Sequence, residues 1–234
     1  VMKDKRFVEN LVKRAQSAKC HALVLTMDLP ILAQRHKDIK NGLSAPPRLT
    51  LNSVLQIIKK PGWCLKMLAT SNKTFGNILG HVEGVDDLSS IVKWTDKQFD
   101  PGLSWDYVKW IRKLWKGPLI LKGILDKDDI KIANKLEIQG IIVSNHGGRQ
   151  LDHGRGSLDV LPEVVQAVDG KAKVMLDGGI MRGADLVKAM ALGADAVGMG
   201  RFQGMAVAAG GVPALVRALE ILESEVRAAM GMLG

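Results

Sequence analysis

The feature that most constrains the fold is a unit of one helix followed by one short apolar strand, which is repeated along the chain. The first unit has apolar residues at helical spacing between Lys5 and Ala18, followed by the strand HALVLTMD. The later strands read GPLILKG, QGIIVSN, KVMLDGG and ADAVGMG, each after a helical pattern. Continuous apolar runs of this kind are typical of parallel strands covered on both faces. The repetition predicts an α/β protein with a parallel sheet, closed by a last helix from about Val212 to Met230.

The number of strands leaves two architectures open. Five full strands can be counted, and Val1 and Met2 read as the end of a sixth. An eight-stranded barrel cannot close with so few strands. The chain is therefore either an open doubly wound sheet or the C-terminal part of a (β/α)8 TIM barrel whose front strands are absent. Its length of 234 residues, with 47% hydrophobic content, favours one domain, 1–234.

Composition excludes several classes of protein. No run of eighteen or more apolar residues and no signal-peptide pattern is found, which favours a cytoplasmic location. Cys20 and Cys64 lack metal-type spacing, so we expect reduced thiols and no metal site. The net charge of +9 would suit nucleic acid, an anionic membrane or an anionic ligand. Zinc-finger spacing is absent and aromatic residues make up only 4%, so we expect no nucleic-acid partner.

Polar residues follow every predicted strand. In parallel α/β folds the carboxyl ends of the strands form the ligand-binding edge. The residues at these positions are Thr26, Asp28, Lys122, Ser144, His146, Arg149, Asp177, Gly178, Gly179, Arg182, Gly200 and Arg201. We expect this set to form the functional site.

The last two units predict an anion site. DGGIMRGADL places a carboxylate and two glycines before a helix, and GADAVGMGRF ends a strand with Gly200 and Arg201. Glycines let backbone amides approach a phosphate, and an arginine adds a bidentate donor. The alternative is that these glycines only form tight turns. Lys122 ends a fully apolar strand, so its ammonium must reach a ligand or form a salt bridge with a neighbouring acid.

These blocks, with ALVLTMDLPILAQRHKDIKNG, LILKGIL and IIVSNHGGRQLDHG, resemble the FMN-dependent α-hydroxy acid dehydrogenase and oxidase family. The resemblance runs almost the whole length of the chain. Within the family, PPRLTLNSVLQIIKKPGWCLKML and DLSSIVKWTDKQFDP are most similar to bacterial respiratory L-lactate dehydrogenases. The resemblance implies the C-terminal part of a TIM barrel that oxidises an L-2-hydroxy acid, with L-lactate as the expected substrate and FMN as the cofactor.

The resemblance also implies a role for each site residue. His146 would be the base that takes the hydroxyl proton of the substrate, and Asp28 would hold the resulting imidazolium. Arg149 would bind the substrate carboxylate, with Arg35 assisting. Imidazole and guanidinium suit these tasks, because a base needs a pKa near the working pH and a carboxylate needs a planar double donor. The residues implied to hold the flavin are Thr26, Lys122, Ser144, Asp177, Gly179, Arg182, Gly200 and Arg201.

The sequence departs from the family in two places. The family has an N-terminal portion, with the first strands and two tyrosines that touch substrate, which we expect this chain to lack. After Arg201 the chain continues FQGMAVAAGG, without the tyrosine that the family carries there. The alternatives to a hydroxy acid dehydrogenase are another phosphate-binding flavin or nucleotide barrel enzyme and an inactive fragment that needs a partner to fold.

The segment from about 29 to 103 interrupts the rhythm of units. Most βα connections take about two to six residues, so this one is expected to be a functional insertion. Its residues 56–73 mix apolar side chains with lysines, as in a segment lying on an anionic bilayer, although an amphipathic helix packed on its own barrel fits equally. The expected partners are the hydroxy acid, a respiratory-chain acceptor or oxygen, the inner face of the cell membrane, and further copies of the chain in a homo-oligomer.

Overall fold

The computed structural model describes residues 2–42, 50–71 and 75–234. The chain divides into two compact units. The first comprises Val1–Cys20 and Pro30–Leu103, and the second comprises His21–Leu29 and Ser104–Gly234. The insertion expected at about 29–103 supplies most of the first unit. Its residues 43–49 and 72–74, Lys73 among them, lie outside the described part of the chain.

The described elements of the first unit are all helical. They are α1 (Lys5–Ser17), α2 (His36–Lys40), α3 (Leu51–Ile58), α4 (Pro61–Ala69) and α5 (Leu88–Asp96). Asp4 caps α1 by accepting a hydrogen bond from the N–H of Phe7 at 3.0 Å. Thr50 and Ser53 form a reciprocal capping box at the start of α3. Phe7 packs edge-on against Trp94, with ring centroids 4.9 Å apart, which joins α1 to α5.

The second unit is built on a five-stranded parallel sheet. Its strands are β1 (Leu23–Thr26), β2 (Leu119–Lys122), β3 (Gly140–Val143), β4 (Lys173–Asp177) and β5 (Ala196–Gly198). The strand order is β1-β2-β3-β4-β5, so each strand pairs with the one before it in the sequence. A doubly wound sheet reverses its order at a switch point, whereas a (β/α)8 barrel adds strands in sequence. The barrel expectation is confirmed, and the doubly wound alternative is wrong.

Helices α6 (Trp105–Leu114), α7 (Lys127–Lys135), α8 (Ser157–Val168) and α9 (Gly183–Ala191) alternate with the strands. Of these, α8 packs on β3 and β4, and α9 packs on β5. The last helix, α10 (Gly200–Leu233), packs on α9. The strand side chains that face these helices are buried, namely Leu25, Leu119, Leu121, Ile141, Val143, Val174 and Leu176. The alternate strand positions, including Val24, Ile120, Ile142 and Met175, are only partly covered in the described residues. The apolar runs predicted a sheet that is covered on both faces. In the described residues only one face is fully covered.

The last helix, α10, is interrupted near its start. Gly210 and Gly211 leave the helical region, with φ of −164° and 66°, and Pro213 follows. The helix expected at about Val212–Met230 is the part after this break. By length and composition alone, α10 is long and apolar enough to cross a membrane, and most of its residues are exposed. The break divides it into two segments, and the second of them is bonded to the start of α9 through Glu225.

Candidate active site

The ends of the strands bring the predicted polar residues to one edge of the sheet. The register pairs Thr26 with Lys122, Lys122 with Ile142, and Asp177 with Gly198. Because parallel strands present their carboxyl ends at the same edge, the residues that follow β1 to β5 converge there. The site residues of the second unit therefore share one neighbourhood, although they are scattered in the sequence.

His146 and Asp28 are in direct contact at this edge. The imidazole Nδ1 lies 3.2 Å from Oδ1 and 3.3 Å from Oδ2 of the carboxylate. Both side chains are largely covered, with 27% of the histidine and 14% of the aspartate side chain exposed. Since a carboxylate only accepts hydrogen bonds, Nδ1 carries the proton and Nε2 of a neutral ring is left as an acceptor. The pair has the arrangement of an oriented general base.

A left-handed turn presents the histidine. His146 has φ of 56°, and Gly147 and Gly148 continue with φ of 66° and 71°. A non-glycine residue in this region is uncommon, and strain of this kind clusters at functional sites. The turn is held by Ser144 Oγ, which accepts from the N–H of His146 at 3.1 Å, and by Asn145 Oδ1, which accepts from the N–H of Gly148 at 3.2 Å. The conformation of the histidine is therefore fixed on both sides.

Lys122 contacts two of the predicted residues. Its Nζ lies 3.2 Å from Oδ2 of Asp177 and donates to the fully buried Ser144 hydroxyl at 2.8 Å. The salt bridge that sequence left as an alternative is thus present. Lys122 and Asp177 also both line a cavity, so the ammonium remains next to any ligand that enters.

The cavity has a volume of about 610 Å³. Its polar lining comes from Lys122, His146, Arg149, Asp177 and Arg201, and its glycine lining from 147, 178, 179, 198 and 200. Pockets of about 300 to 1,000 Å³ hold small molecules and cofactors. Arg201 Nη2 donates to the carbonyl oxygen of Gly147 at 2.8 Å, which links the start of α10 to the turn that carries His146.

Arg182 does not line this cavity. Its Nε donates to Glu225 Oε1 of α10 at 2.7 Å, and the N–H of Gly183 donates to the other oxygen of the same carboxylate, also at 2.7 Å. The bond from Gly183, and then Arg182, hold the pKa of Glu225 below its usual value. The neighbouring Met181 lines the cavity in place of Arg182.

The remaining predicted residues lie near the cavity or in the other unit. Thr26 ends β1 beside Lys122, and neither Thr26 nor Ser144 lines the cavity wall. Arg35 belongs to the first unit, where it directly precedes α2. Sequence reasoning missed Gln150, whose Nε2 donates to the backbone oxygen of Asp28 at 3.2 Å. Its position next to Arg149 was the only signal that could have singled it out.

The model of the FMN-dependent dehydrogenase family matches residues 1–234. The chain belongs to this family. It is 39% identical to the L-lactate dehydrogenase of Caulobacter sp. (strain K31), across 100% of this chain and 62% of that protein. It is 40% identical to the L-lactate dehydrogenase of Alcaligenes faecalis, across 98% of this chain and 61% of that protein. The chain thus spans about three-fifths of the length of these FMN-dependent dehydrogenases.

Solved structures agree with the family assignment. The monotopic membrane protein (S)-mandelate dehydrogenase matches with a TM-score of 0.90 and 29% identity, over 99% of this chain and 61% of that one. A mandelate oxidase matches with a TM-score of 0.74 and 37% identity, over 98% of this chain and 59% of that one. The predicted family is confirmed. The matching FMN-dependent dehydrogenases are TIM barrels, so the five-stranded sheet corresponds to part of such a barrel.

The cavity fits the cofactor of the FMN-dependent dehydrogenase family. Gly178 and Gly179 have φ of 99° and 79°, and no atom lies within 4 Å of a Cβ built at Gly179 or Gly200. Backbone there is open to close approach by a phosphate. Arg201 and Lys122 supply cations, and Asp177 supplies an acceptor for hydroxyl groups. The lining therefore offers both donors for an anion and a mixed polar set that includes His146.

Proposed function

We propose that this chain carries the catalytic edge of an FMN-dependent dehydrogenase that oxidises an L-2-hydroxy acid to a 2-oxo acid. The observation that carries the proposal is the His146–Asp28 contact at the rim of a cavity that Arg149 and Arg201 also line. The base, a carboxylate-binding cation and an anion-binding end belong to one pocket. A phosphate-binding barrel of another kind would use Arg201 and the glycines but would not need the histidine pair and Arg149 beside them.

His146 acts as the base in this proposal. Asp28 holds the Nδ1–H, so Nε2 accepts the hydroxyl proton of the substrate, and the imidazolium that forms is stabilised by the same carboxylate. Arg149 binds the substrate carboxylate through its planar guanidinium and so fixes the hydroxyl near the base. We propose that Arg35 assists in this contact, as the family resemblance implies. FMN, when bound, supplies the oxidant that accepts the two electrons of the reaction.

The cofactor-binding assignment rests on the cavity lining. Gly179, Gly200 and Arg201 would hold the phosphate, and Asp177 would accept from the ribityl chain. Lys122 would lie along the flavin edge and stabilise the negative charge of the reduced ring. Thr26 and Ser144 are proposed as hydrogen-bond partners of the flavin from the strand ends. Arg182 stays a prediction as a phosphate ligand, and its described contact with Glu225 gives that role no support.

L-Lactate is the first candidate substrate. The relatives named above carry the name L-lactate dehydrogenase, at 39% and 40% identity. Mandelate is the second candidate, because the matching solved structures are those of mandelate enzymes. Mandelate carries a phenyl group on C2, where lactate carries a methyl group. A comparison of their turnover therefore measures the size of the substrate pocket.

We further propose that the protein lies on the inner face of the cell membrane through α3 and α4. These helices expose large apolar side chains, among them Leu55, Ile58, Trp63, Leu65 and Leu68, next to Lys59, Lys60 and Lys66. Apolar groups interleaved with lysines suit an anionic bilayer surface. A matching structure is described as a monotopic membrane protein, which supports this placement. The electron acceptor would then be a component of the respiratory chain, with oxygen as the alternative.

Anaerobic flavin reduction tests the proposed function. The intact protein should show a flavin absorbance spectrum, and L-lactate should bleach it in the absence of oxygen. (S)-Mandelate is measured in parallel, and D-lactate serves as the control for stereospecificity. A bound flavin that no L-2-hydroxy acid reduces would favour a different flavin enzyme, and the absence of flavin would favour a protein without this activity.

A further inference from the structure

Gly123 follows directly after the last residue of β2 and has a backbone that suits only glycine. Its φ is 96°, outside the range that L side chains adopt without strain. Its N–H donates to the carbonyl oxygen of Ile142 at 3.0 Å, which ties this backbone to β3. The end of β2 is thus anchored and has little freedom to shift.

The Asp28 side chain rests directly against Gly123. A Cβ built at Gly123 would lie 2.5 Å from Cγ, 2.6 Å from Cβ and 2.9 Å from Oδ2 of Asp28. Real contacts of this kind are longer than 3.0 Å, so any side chain at Gly123 would displace the aspartate. The carboxylate that contacts His146 therefore occupies space that exists only because residue 123 has no Cβ.

The backbone of Asp28 is also held in place. Gln150 Nε2 donates to the Asp28 carbonyl oxygen at 3.2 Å, and the N–H of Met27 donates to the Lys122 carbonyl oxygen at 2.8 Å. Rotation of the Asp28 side chain can relieve the contacts with Cγ and Oδ2, whereas the 2.6 Å contact with Cβ needs the held backbone of Asp28 to shift. Either movement takes the carboxylate away from the imidazole. The distance between that carboxylate and Nδ1 would then increase.

We propose that Gly123 is a positioning residue that holds the Asp28 carboxylate in contact with Nδ1 of His146. The expected effect of Gly123 on turnover rests on the proposed function, in which His146 is the base. Its expected effect on the contact between Asp28 and His146 does not depend on that function. A histidine whose Nδ1–H bonds a carboxylate is held in one tautomer. Loss of that contact should release the ring to a mixture of tautomers and misplace the base, which costs on the order of 100-fold in rate.

Gly193 offers a matched control in the same unit. Its φ is 101°, and a Cβ built there would lie 2.9 Å from Cγ1 of Val165, away from the cavity. Gly193→Ala therefore introduces comparable backbone strain and a milder collision, with the end of a valine side chain, without touching Asp28. Gly123→Asn is a second test variant, because asparagine tolerates positive φ better than alanine and still introduces a Cβ at the contact.

The primary measurement is the tautomer of His146, read by long-range ¹H–¹⁵N correlation on the intact FMN-loaded protein with ¹⁵N-labelled histidine. The spectrum is recorded at alkaline pH, where a free imidazole is neutral, and His146→Asn assigns the signal. Gly123→Ala or Gly123→Asn should shift the Nδ1 and Nε2 resonances toward a tautomer mixture. Gly193→Ala should leave them unchanged. Wild-type resonances in a folded Gly123 variant would overturn the proposal.

Turnover then separates this proposal from the proposed function. Gly123→Ala should lower kcat about 100-fold with little change in KM, since the substrate carboxylate is bound elsewhere. In an Asp28→Gly background, which removes the three atoms nearest to the new Cβ, the same substitution should have little further effect. A full additional loss there would show that Gly123 acts on another group and would overturn the proposal. A tautomer shift with wild-type turnover would uphold the positioning and contradict the assignment of His146 as the base.

Discussion

At the scale of single residues, the site depends on a histidine held in a left-handed turn. His146 is fixed through its N–H by Ser144 and through its ring by Asp28, at 3.1 and 3.2 Å. The same Ser144 hydroxyl also accepts a hydrogen bond from Lys122, the cation proposed to lie along the flavin. The buried hydroxyl of Ser144 therefore supports both His146 and Lys122. Small changes at Ser144 should therefore affect both.

The first prediction concerns the base. His146→Ala should lower kcat about 10²- to 10⁴-fold while FMN stays bound, because general-base catalysis contributes rate of that order. His153→Ala is the matched control, since His153 also has positive φ, at 57°, and is exposed outside the cavity lining. Stopped-flow reduction by L-lactate and the flavin content of the purified variants are measured together. Flavin loss without a specific defect in reduction would make His146 a structural residue.

The second prediction concerns recognition of the substrate carboxylate. Arg149→Lys keeps the charge and loses the planar pair of donors, so kcat/KM for L-lactate should fall about 10- to 100-fold, the loss expected for hydrogen bonds to a charged group. Arg155→Lys is the control, because Arg155 forms its ion pair with Glu163 on the surface. Unchanged kcat/KM in Arg149→Lys would remove Arg149 from the site.

At the scale of elements, α9 begins against α10. Gly183 has no room for a Cβ, which would lie 2.5 Å from Glu225 Cβ and from the backbone nitrogen of Val226. This close crossing lets Glu225 accept from the first turn of α9. The Glu225 carboxylate therefore caps the N-terminus of α9, although it belongs to another helix.

The third prediction is a pH dependence that follows from this contact. Because the folded state lowers the pKa of Glu225, its contribution to stability is present above the usual value of 4.5 and is lost as the pH falls through the lowered value. Glu225→Ala should lower the thermal unfolding midpoint by a few degrees at neutral pH, and the difference should shrink in acid. Glu223→Ala is the control, since Glu223 pairs only along α10 with Arg227 in its described contacts. A pH-independent difference would contradict the linkage.

The fourth prediction concerns the exposed helices of the first unit. Leu65→Glu or Trp63→Glu should abolish cosedimentation with vesicles of anionic phospholipid, because a charge replaces an apolar anchor. Met232→Glu tests the exposed end of α10 in the same assay and should leave binding unchanged. If only the α10 variant loses binding, the apolar helix at the end of the chain is the membrane contact instead.

Local pattern predicted the elements better than it predicted their contacts. The apolar runs marked all five strands, and the helical pattern placed the start of the last helix near Val212, directly after the break at Gly210 and Gly211. The contact of His146 with Asp28 joins residues 118 positions apart, and no periodicity encodes it, so it came only from family resemblance. Arg182 was assigned to the flavin by family resemblance and by its place after a strand, whereas its described contact is with Glu225, 43 residues further along the chain. The need for glycine at 123 is likewise invisible until Asp28 is placed beside it.

At the scale of the whole molecule, the sheet ends in two open edges. Within the described residues β1 and β5 each pair with one neighbour, and the partly covered face of the sheet carries Val24, Ile120 and Met175. Unpaired strand edges and exposed apolar surface promote association. The relatives extend beyond the matched region, which is about three-fifths of their length.

The fifth prediction follows from these edges. A polypeptide of these 234 residues alone should associate or bind FMN weakly, and adding the remaining barrel strands, in the same chain or as a separate polypeptide, should restore tight binding. Size-exclusion chromatography combined with flavin titration measures both properties. A monodisperse monomer that binds FMN stoichiometrically at submicromolar concentration would show that the open edges need no further strands.

The strand order also bears on how the protein folds. The strands β2 to β5 are joined by single helical connections, so their pairing closes short loops. Pairing of β1 with β2 must close the long connection from Thr26 to Leu119, which costs more chain entropy and slows the contact. We therefore expect β1 to join a sheet that has already formed. Asp28 arrives with β1, so the pairing of the aspartate with His146 would be among the last events of folding.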